Sequence, residues 1–342
     1  MRMLVLFATV SVALSGTARA DELVSDAAPY RYVALEAPAD LSFYDPVAVT
    51  NDRKVYGNGY RCDENDENCL MSILVHERGG GEARELYSGA RVSAVNCWQL
   101  LGGSVLSRGS EASQQAALFR HGEVELIPRL PGEVVSSVSQ LNDFGVALVA
   151  SGDGTKSTYY LYRNGRELTL NLGQNSPVRD MNNSGMVTGL AGGAFRMVPW
   201  ASEPTRLAPL PPHPYAWGMQ INERGDVLGY SWGGGSEVIG IWRGTEFVIV
   251  LEPAKLEPAV VSNDLLWNRQ GLIVITSAVA ATGEHSYIVP RPGVRFDLHE
   301  LVDALPSSSL ITNLNDRGDM VGTSRTDDFT PFLLERVEGV EL

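Results

Sequence analysis

Apolar and polar residues alternate in short runs along this chain, and one polar turn breaks the alternation at even intervals. Its plainest copy is Ile221-Asn222-Glu223-Arg224-Gly225-Asp226-Val227-Leu228-Gly229. An apolar residue ends one strand, Asn-Glu-Arg-Gly turns the chain, and an alternating segment starts the return strand. Asn-x-x-Gly suits a type I turn closed by a glycine in the left-handed region, which a residue with a Cβ adopts only at a cost. Asn also bonds its own backbone two residues on, which sets the turn. The pattern therefore predicts a β-hairpin.

The hairpin recurs. Asn-x-x-Gly-x-apolar-x-Gly is complete at Asn182, Asn222 and Asn315, and keeps its first glycine at Asn142 and Asn268. Degenerate copies fall at Asn96, with Gln99 in the glycine place, and at Asn51, where Val55 and Gly57 come one residue early. The intervals from Asn51 through Asn96, Asn142, Asn182, Asn222 and Asn268 to Asn315 are 45, 46, 40, 40, 46 and 47 residues. Each turn is followed by a short apolar run such as Tyr159-Tyr160-Leu161-Tyr162, and often by a second polar turn such as Arg163-Asn164-Gly165-Arg166. That makes four short strands per unit. No window of useful length has helical periodicity, and Leu298 to Leu305 is the best candidate for a short helical turn.

Four-stranded antiparallel units of about 40–45 residues are the sequence sign of propeller blades. The fold expected is all-β, a seven-bladed β-propeller of four-stranded antiparallel blades forming a single domain over residues 21–342. A two-sheet sandwich would not explain seven evenly spaced copies. Ring closure should join both ends of the chain. The alternating segment Tyr30–Leu35 precedes the first turn, and Arg336–Leu342 ends the last unit without a successor.

The pairing of Asn-x-x-Gly-x-Val-x-Gly with a later His-Ala-Phe-Leu-Trp-like segment resembles the extracellular HAF-repeat family. His285-Ser286-Tyr287-Ile288-Val289 keeps the histidine, Gly193-Ala194-Phe195 the Ala-Phe, and Ile241-Trp242 the end of that segment. The resemblance is strongest from Asn182 onward and implies an exported repeat protein. It brings no catalytic residues.

Residues 1–20 read as a secretory signal peptide. Arg2 gives a basic start, Met3 to Leu14 is almost wholly apolar, and Ala18-Arg19-Ala20 is a cleavage signal. The alternative, a membrane anchor, needs an apolar run of about 20 residues. Export to the periplasm or medium, without membrane insertion, is the expectation. Cleavage removes Arg2 and Arg19 and no acid, so the formal charge of −14 becomes −16. So acidic a chain disfavours nucleic acid and anionic membranes as partners. A monomer binding an unknown protein or glycan is expected.

Of the three cysteines, Cys62 and Cys69 bracket an acidic hexapeptide and are expected to bridge, leaving Cys97 free. That hexapeptide, Asp63–Asn68, alternates oxygen ligands as calcium loops do, but lacks their central glycine and distal acid, so a solvated loop is favoured and no metal or cofactor is expected. The seven Asn residues are read as turn formers rather than ligands. The five histidines have no local Ser or Cys nucleophile, and no Gly-x-Ser-x-Gly elbow occurs. Two functions stay open: a non-catalytic exported binding or scaffold propeller, which is favoured, and a propeller hydrolase or lyase acting on an extracellular glycan.

Candidate ligand-binding residues come from two observations. Trp232, beside Gly233-Gly234-Gly235, is a large aromatic next to flexible chain and a common kind of binding anchor. Two residues before each Asn stand Val49, Ala94, Gln140, Asp180, Gln220, Leu266 and Asn313. Four polar side chains thus recur at one point of a strand that otherwise reads as buried. Either each bonds the backbone of the next blade, or the strand is innermost. In that case Gln140, Asp180, Gln220 and Asn313 line a channel, with Arg179 the nearest cation for an acidic ligand.

Overall fold

A computed structural model describes residues 28–63, 69–106, 114–153, 155–173, 176–251, 261–279, 283–324, 329–340 and 342. The signal-peptide segment and residues 64–68 of the acidic loop lie outside them. The chain forms seven four-stranded antiparallel sheets. The first strands of blades 1 to 7 are Phe43–Val49, Ala90–Val95, Val135–Leu141, Val178–Met181, Tyr215–Ile221, Val261–Trp267 and Ser309–Leu314. Each first strand touches the first strand of the next blade, and that of blade 7 touches that of blade 1, so they form a closed inner ring. In blades 1 to 6 the remaining strands follow outward in sequence order. The only helix among the described residues is the short Leu298–Leu301, within the span expected to hold a helical turn.

The two ends of the chain close the ring. The N-terminal strand Tyr30–Ala34 pairs antiparallel with Pro331–Arg336 and is the outer strand of blade 7. Tyr30 is buried with Ile311, Met320, Phe332 and Leu334. Seven apolar clusters appear among the described residues, and each joins two adjacent blades. A single blade has two apolar faces and cannot bury both alone, so stacking in a ring is what hides them.

The repeated turn is built as its residues require. In blade 5 the Asn222 N–H donates to the Asp226 carbonyl and the Gly225 N–H to the Asn222 carbonyl, both at 3.0 Å. Gly225 has φ +80°, which closes a type I turn with a left-handed residue. The second glycine of the motif has another cause. A Cβ on Gly229 would lie 2.1 Å from the Trp217 carbonyl of the inner strand, where that strand carries a β-bulge.

Blade 1 corrects the repeat alignment. Thr50, not Asn51, occupies the Asn place, because the Thr50 N–H donates to Lys54 O and the Arg53 N–H to Thr50 O. Val55 and Gly57 then fall in register, and the residue two before the turn is Ala48 rather than Val49. Arg53 (φ 65°) and Gln99 (φ 60°) adopt the left-handed conformation without being glycine. Their side chains reach neighbouring blades. Arg53 Nε donates to Asp319 of blade 7 at 3.2 Å, and Gln99 Nε2 to Asp52 of blade 1 at 3.1 Å. Cys62 and Cys69 are disulfide-bonded where the second and third strands of blade 1 meet, and Cys97 is free.

Closure by the terminal strand gives a direct expectation. Tyr30→Ala should lower unfolding stability by about 3–5 kcal/mol, as truncation of a buried aromatic does. Arg31→Ala should cost about 1 kcal/mol or less: Arg31 is exposed, and its partner Glu335 keeps Arg53 at 3.8 Å. Urea unfolding of the two variants checks the order.

Candidate functional site

At five of the six Asn turns the repeated Asn serves two blades. Its Oδ1 accepts the backbone N–H groups two and four residues on: Ser184 and Met186 for Asn182 at 3.1 and 2.9 Å, Phe144 and Val146 for Asn142 at 3.1 and 2.9 Å. Its Nδ2 donates to the backbone of the next blade's turn. The bonds run Asn96 to Asn142 O (3.0 Å), Asn142 to Asn182 O (3.3 Å), Asn182 to Asn222 O (2.9 Å), Asn268 to Asn315 O (3.0 Å) and Asn315 to Thr50 O (2.9 Å). Two junctions differ. Asn222 bonds Asp226 in its own hairpin at 3.2 Å, and Thr50 has no amide to donate. At the latter junction Asn58 of blade 1 donates to Val92 O and accepts from Val92 N, at 3.0 and 2.8 Å.

The residue after each Asn forms a second girdle around the mouth of the ring. The N–H of Cys97 donates to Asp143, Asp143 to Asn183, Asn183 to Glu223, Arg269 to Asp316, and Asp316 to Asn51. The acids beside the turns are therefore acceptors for the preceding blade. Arg269 of blade 6 reaches over this mouth to Asp143 of blade 3, with Asp316 of blade 7 at 3.6 Å and Glu223 of blade 5 at 3.9 Å. Burial alone would raise the Asp143 carboxyl, but hydrogen bonds from Arg269, Asn183 and Cys97 outweigh it and hold the group at about 2. Burial and the adjacent Asp143 push the Cys97 thiol up to about 11, away from thiolate chemistry.

Behind the mouth lies an axial cavity of about 500 Å³ to which all seven inner strands contribute. Gln140, Arg179, Asp180, Gln220 and Asn313 all line it, as do Val49, Ala94 and Leu266. Both geometries considered for the polar residues hold together. Gln140 Nε2 donates to Arg179 O at 3.1 Å, Asp180 accepts from Ile221 N at 2.8 Å, and Asn313 accepts from Val49 N at 3.1 Å. Each of these three thus bonds the next blade while facing the axis. Gln220 differs: its Oε1 has no partner among the described residues. Arg179 is exposed on the wall, with its guanidinium 4.6 Å over the Trp217 ring, and makes no ion pair among the described residues.

Trp232 stands apart. It packs against Tyr215 and Tyr230 (ring centroids 5.5 and 5.4 Å) and lines a separate, apolar groove of about 730 Å³ between blades 4 and 5. The calcium-like loop falls mostly outside the described residues.

Two features escape sequence reasoning. Asp264 lines the cavity because the bulge of blade 6 sits between Ser262 and Asp264, whereas in blades 3, 4 and 5 it directly precedes the residue two before the Asn. Burial raises its carboxyl, partly offset by the charge of Arg179. The other is a cluster of His285, Asp297 and His299 on blade 6. Its one local signal is the spacing Asp297-Leu298-His299, since His285 arrives from another strand.

Burial raises Asp180 to about 6 despite the hydrogen bonds it accepts from Ile221 and Met181. The folded state therefore holds a proton that the unfolded chain has released between about pH 4 and 6, and stability falls as pH rises through that window. Asp180→Asn keeps the acceptor for Ile221 N–H and removes the charge. Its melting temperature should match the parent near pH 4 and exceed it at pH 7.5, checked by thermal unfolding at the two pH values.

No family model and no curated protein matches the chain. Solved structures are similar in fold. The β-propeller domain of the trilobed protease from Pyrococcus furiosus superposes with a TM-score of 0.62 at 9% identity, covering 88% of this chain and 97% of that one. That domain is described as having an open velcro topology, whereas here Tyr30–Ala34 closes the ring. An acylaminoacyl peptidase from Pyrococcus horikoshii gives 0.61 at 9% identity over 87% of this chain, which spans 52% of that one. YCF48 from Cyanidioschyzon merolae gives 0.52 at 12% identity, over 90% and 99%. Identities this low show a shared propeller architecture.

Proposed function

We propose that this is an exported, non-catalytic propeller that binds a glycan in its axial cavity, with Arg179 as the anchor. The observation that carries the proposal is Arg179 itself, exposed on the cavity wall, with its guanidinium 4.6 Å over the Trp217 ring and in no ion pair among the described residues. A planar guanidinium so presented takes a sugar carboxylate or a pair of hydroxyls in bidentate fashion. Gln140, Asp180, Gln220 and Asn313 add the alternating donors and acceptors that a hydroxyl-rich ligand needs, and about 500 Å³ lies within the ordinary range of small-molecule sites. Trp232 and its groove would offer a second, apolar contact for a longer chain or a protein. Export is supported by the N-terminal segment, the Cys62–Cys69 bridge and the likeness of the repeats to extracellular HAF repeats. Among the described residues no helix is long and apolar enough to cross a membrane.

An enzyme acting on an extracellular glycan is the second reading, and one observation favours it. Asp180 and Asp264 line one cavity and both have raised carboxyls, the state a general acid needs. Against it, no histidine lines the cavity and Asp180 is already bonded to the Ile221 N–H.

Calorimetric titration of the mature protein against a panel of acidic and neutral oligosaccharides distinguishes these. Binding without product release is expected, weakened at least about tenfold by Arg179→Ala and less by Gln220→Ala. Release of new reducing ends that Asp180→Asn or Asp264→Asn abolishes would replace the binding function with the enzymatic one.

A further inference from the structure

We infer that His285, Asp297 and His299 form a binding site for a divalent transition metal of the zinc class, independent of the axial cavity. His285 lies near the start of the third strand of blade 6, Gly283–Arg291. Asp297 ends the fourth strand, Val294–Asp297, and caps the helix Leu298–Leu301. His299 follows in the first turn of that helix. The antiparallel blade thus brings together residues twelve and two apart in sequence. Nδ1 of His285 lies 3.1 Å from Asp297 Oδ2, and Nδ1 of His299 lies 3.2 Å from Asp297 Oδ1. The three ligand atoms all fall within 4.8 Å of one another.

The hydrogen bonds around the cluster suit a metal. His299 Nε2 is 2.8 Å from the Pro306 carbonyl, which only accepts, so that nitrogen carries a hydrogen. Nδ1, the other ring nitrogen, faces an oxygen of Asp297 and is the atom left to bind a cation. A metal-bound histidine whose other nitrogen donates to a backbone carbonyl is the usual outer arrangement of such sites. Asp297 is further fixed by the His299 N–H at 2.9 Å. With metal–nitrogen and metal–oxygen distances of about 2.0–2.2 Å, a tetrahedral site separates its ligands by about 3.3 Å. The two contacts, 3.1 and 3.2 Å, run to different oxygens of Asp297, and with one oxygen taken as ligand the three donor atoms lie within 4.8 Å, so the imidazoles would close slightly on a bound ion. Two imidazoles and one carboxylate leave the fourth position to solvent, and all three side chains are partly exposed, with exposures of 25%, 19% and 16% for His285, Asp297 and His299. Tyr287 stacks on His285, Arg295 lies over Tyr287, and Glu300 is on the same helix. A metal here would tie the helix and the segment up to Pro306 to blade 6.

The test is equilibrium dialysis of the metal-stripped mature protein against buffered Zn²⁺, with uptake measured by elemental analysis and melting temperature followed in parallel. One Zn²⁺ per chain is expected, with a rise in melting temperature. Affinity should fall at least about tenfold in His299→Gln and in Asp297→Asn, and Cys97→Ala should bind as the parent does. His285→Gln, which leaves in place the Asp297 cap to the His299 N–H and the His299 contact with Pro306, serves if the other variants fail to fold. Lack of stoichiometric uptake, uptake unchanged in His285→Gln and His299→Gln, or uptake lost in Cys97→Ala would overturn the site.

Discussion

The asparagine amide at the repeated turn is the contact on which the ring depends. One side chain meets two demands that backbone geometry creates. The turn leaves two N–H groups pointing inward, and Oδ1 accepts both. The neighbouring blade's turn carbonyl already accepts the N–H that closes its own turn and has a second lone pair to offer, and Nδ2 donates to it. Because most of these asparagines are buried, leaving any of the groups unmade would cost about 1–3 kcal/mol. Serine or threonine has the acceptor for the turn but lacks the amide for the next blade. Thr50 shows the consequence, since its junction is joined by Asn58 instead. The amide girdle fixes each blade's inner strand relative to the next, and that spacing holds the cavity wall in place.

The architecture was legible because its signal is repeated. Seven turns at nearly constant spacing outweigh the noise in any one of them, and the polar residue two before the Asn stood out against apolar neighbours. What was hidden follows from register and from distance along the chain. Thr50 performs the turn role of Asn without resembling it, so the Asn pattern falls one residue late in the first copy. A bulge moved toward the start of the blade 6 strand turned Asp264 to the axis, and no residue type announces that shift. Arg269 meets Asp143 across 126 residues, and His285 meets Asp297 across a strand pair. Contacts of that kind belong to the closed ring and have no local pattern.

The mouth and the cavity behind it differ in how their charges are used. At the mouth the acids are consumed by structure: Asp143 and Asp316 accept backbone N–H groups and face Arg269. Deeper in, the Arg179 guanidinium lies 4.6 Å over the Trp217 ring and makes no ion pair among the described residues, while desolvation raises the carboxyls of Asp180 and Asp264. Perturbed groups that gather in a concavity are a physical pointer to a ligand site. The same fold hosts peptidase-associated propellers and others, so it is the cavity wall, and not the architecture, that bears on function.

The girdle itself is tested most directly by comparing two asparagines in identical turns. Asn182 bonds its own hairpin and the next blade, whereas Asn222 bonds only within its own hairpin. Chemical unfolding of Asn182→Ala and Asn222→Ala, referred to the parent, contrasts a buried amide bonded across blades with a less buried one bonded to Asp226 of its own hairpin. Asn182→Ala should be the more destabilising by about 1 kcal/mol. Equal losses, or a larger loss at Asn222, would contradict the amide girdle as the organising contact of the ring.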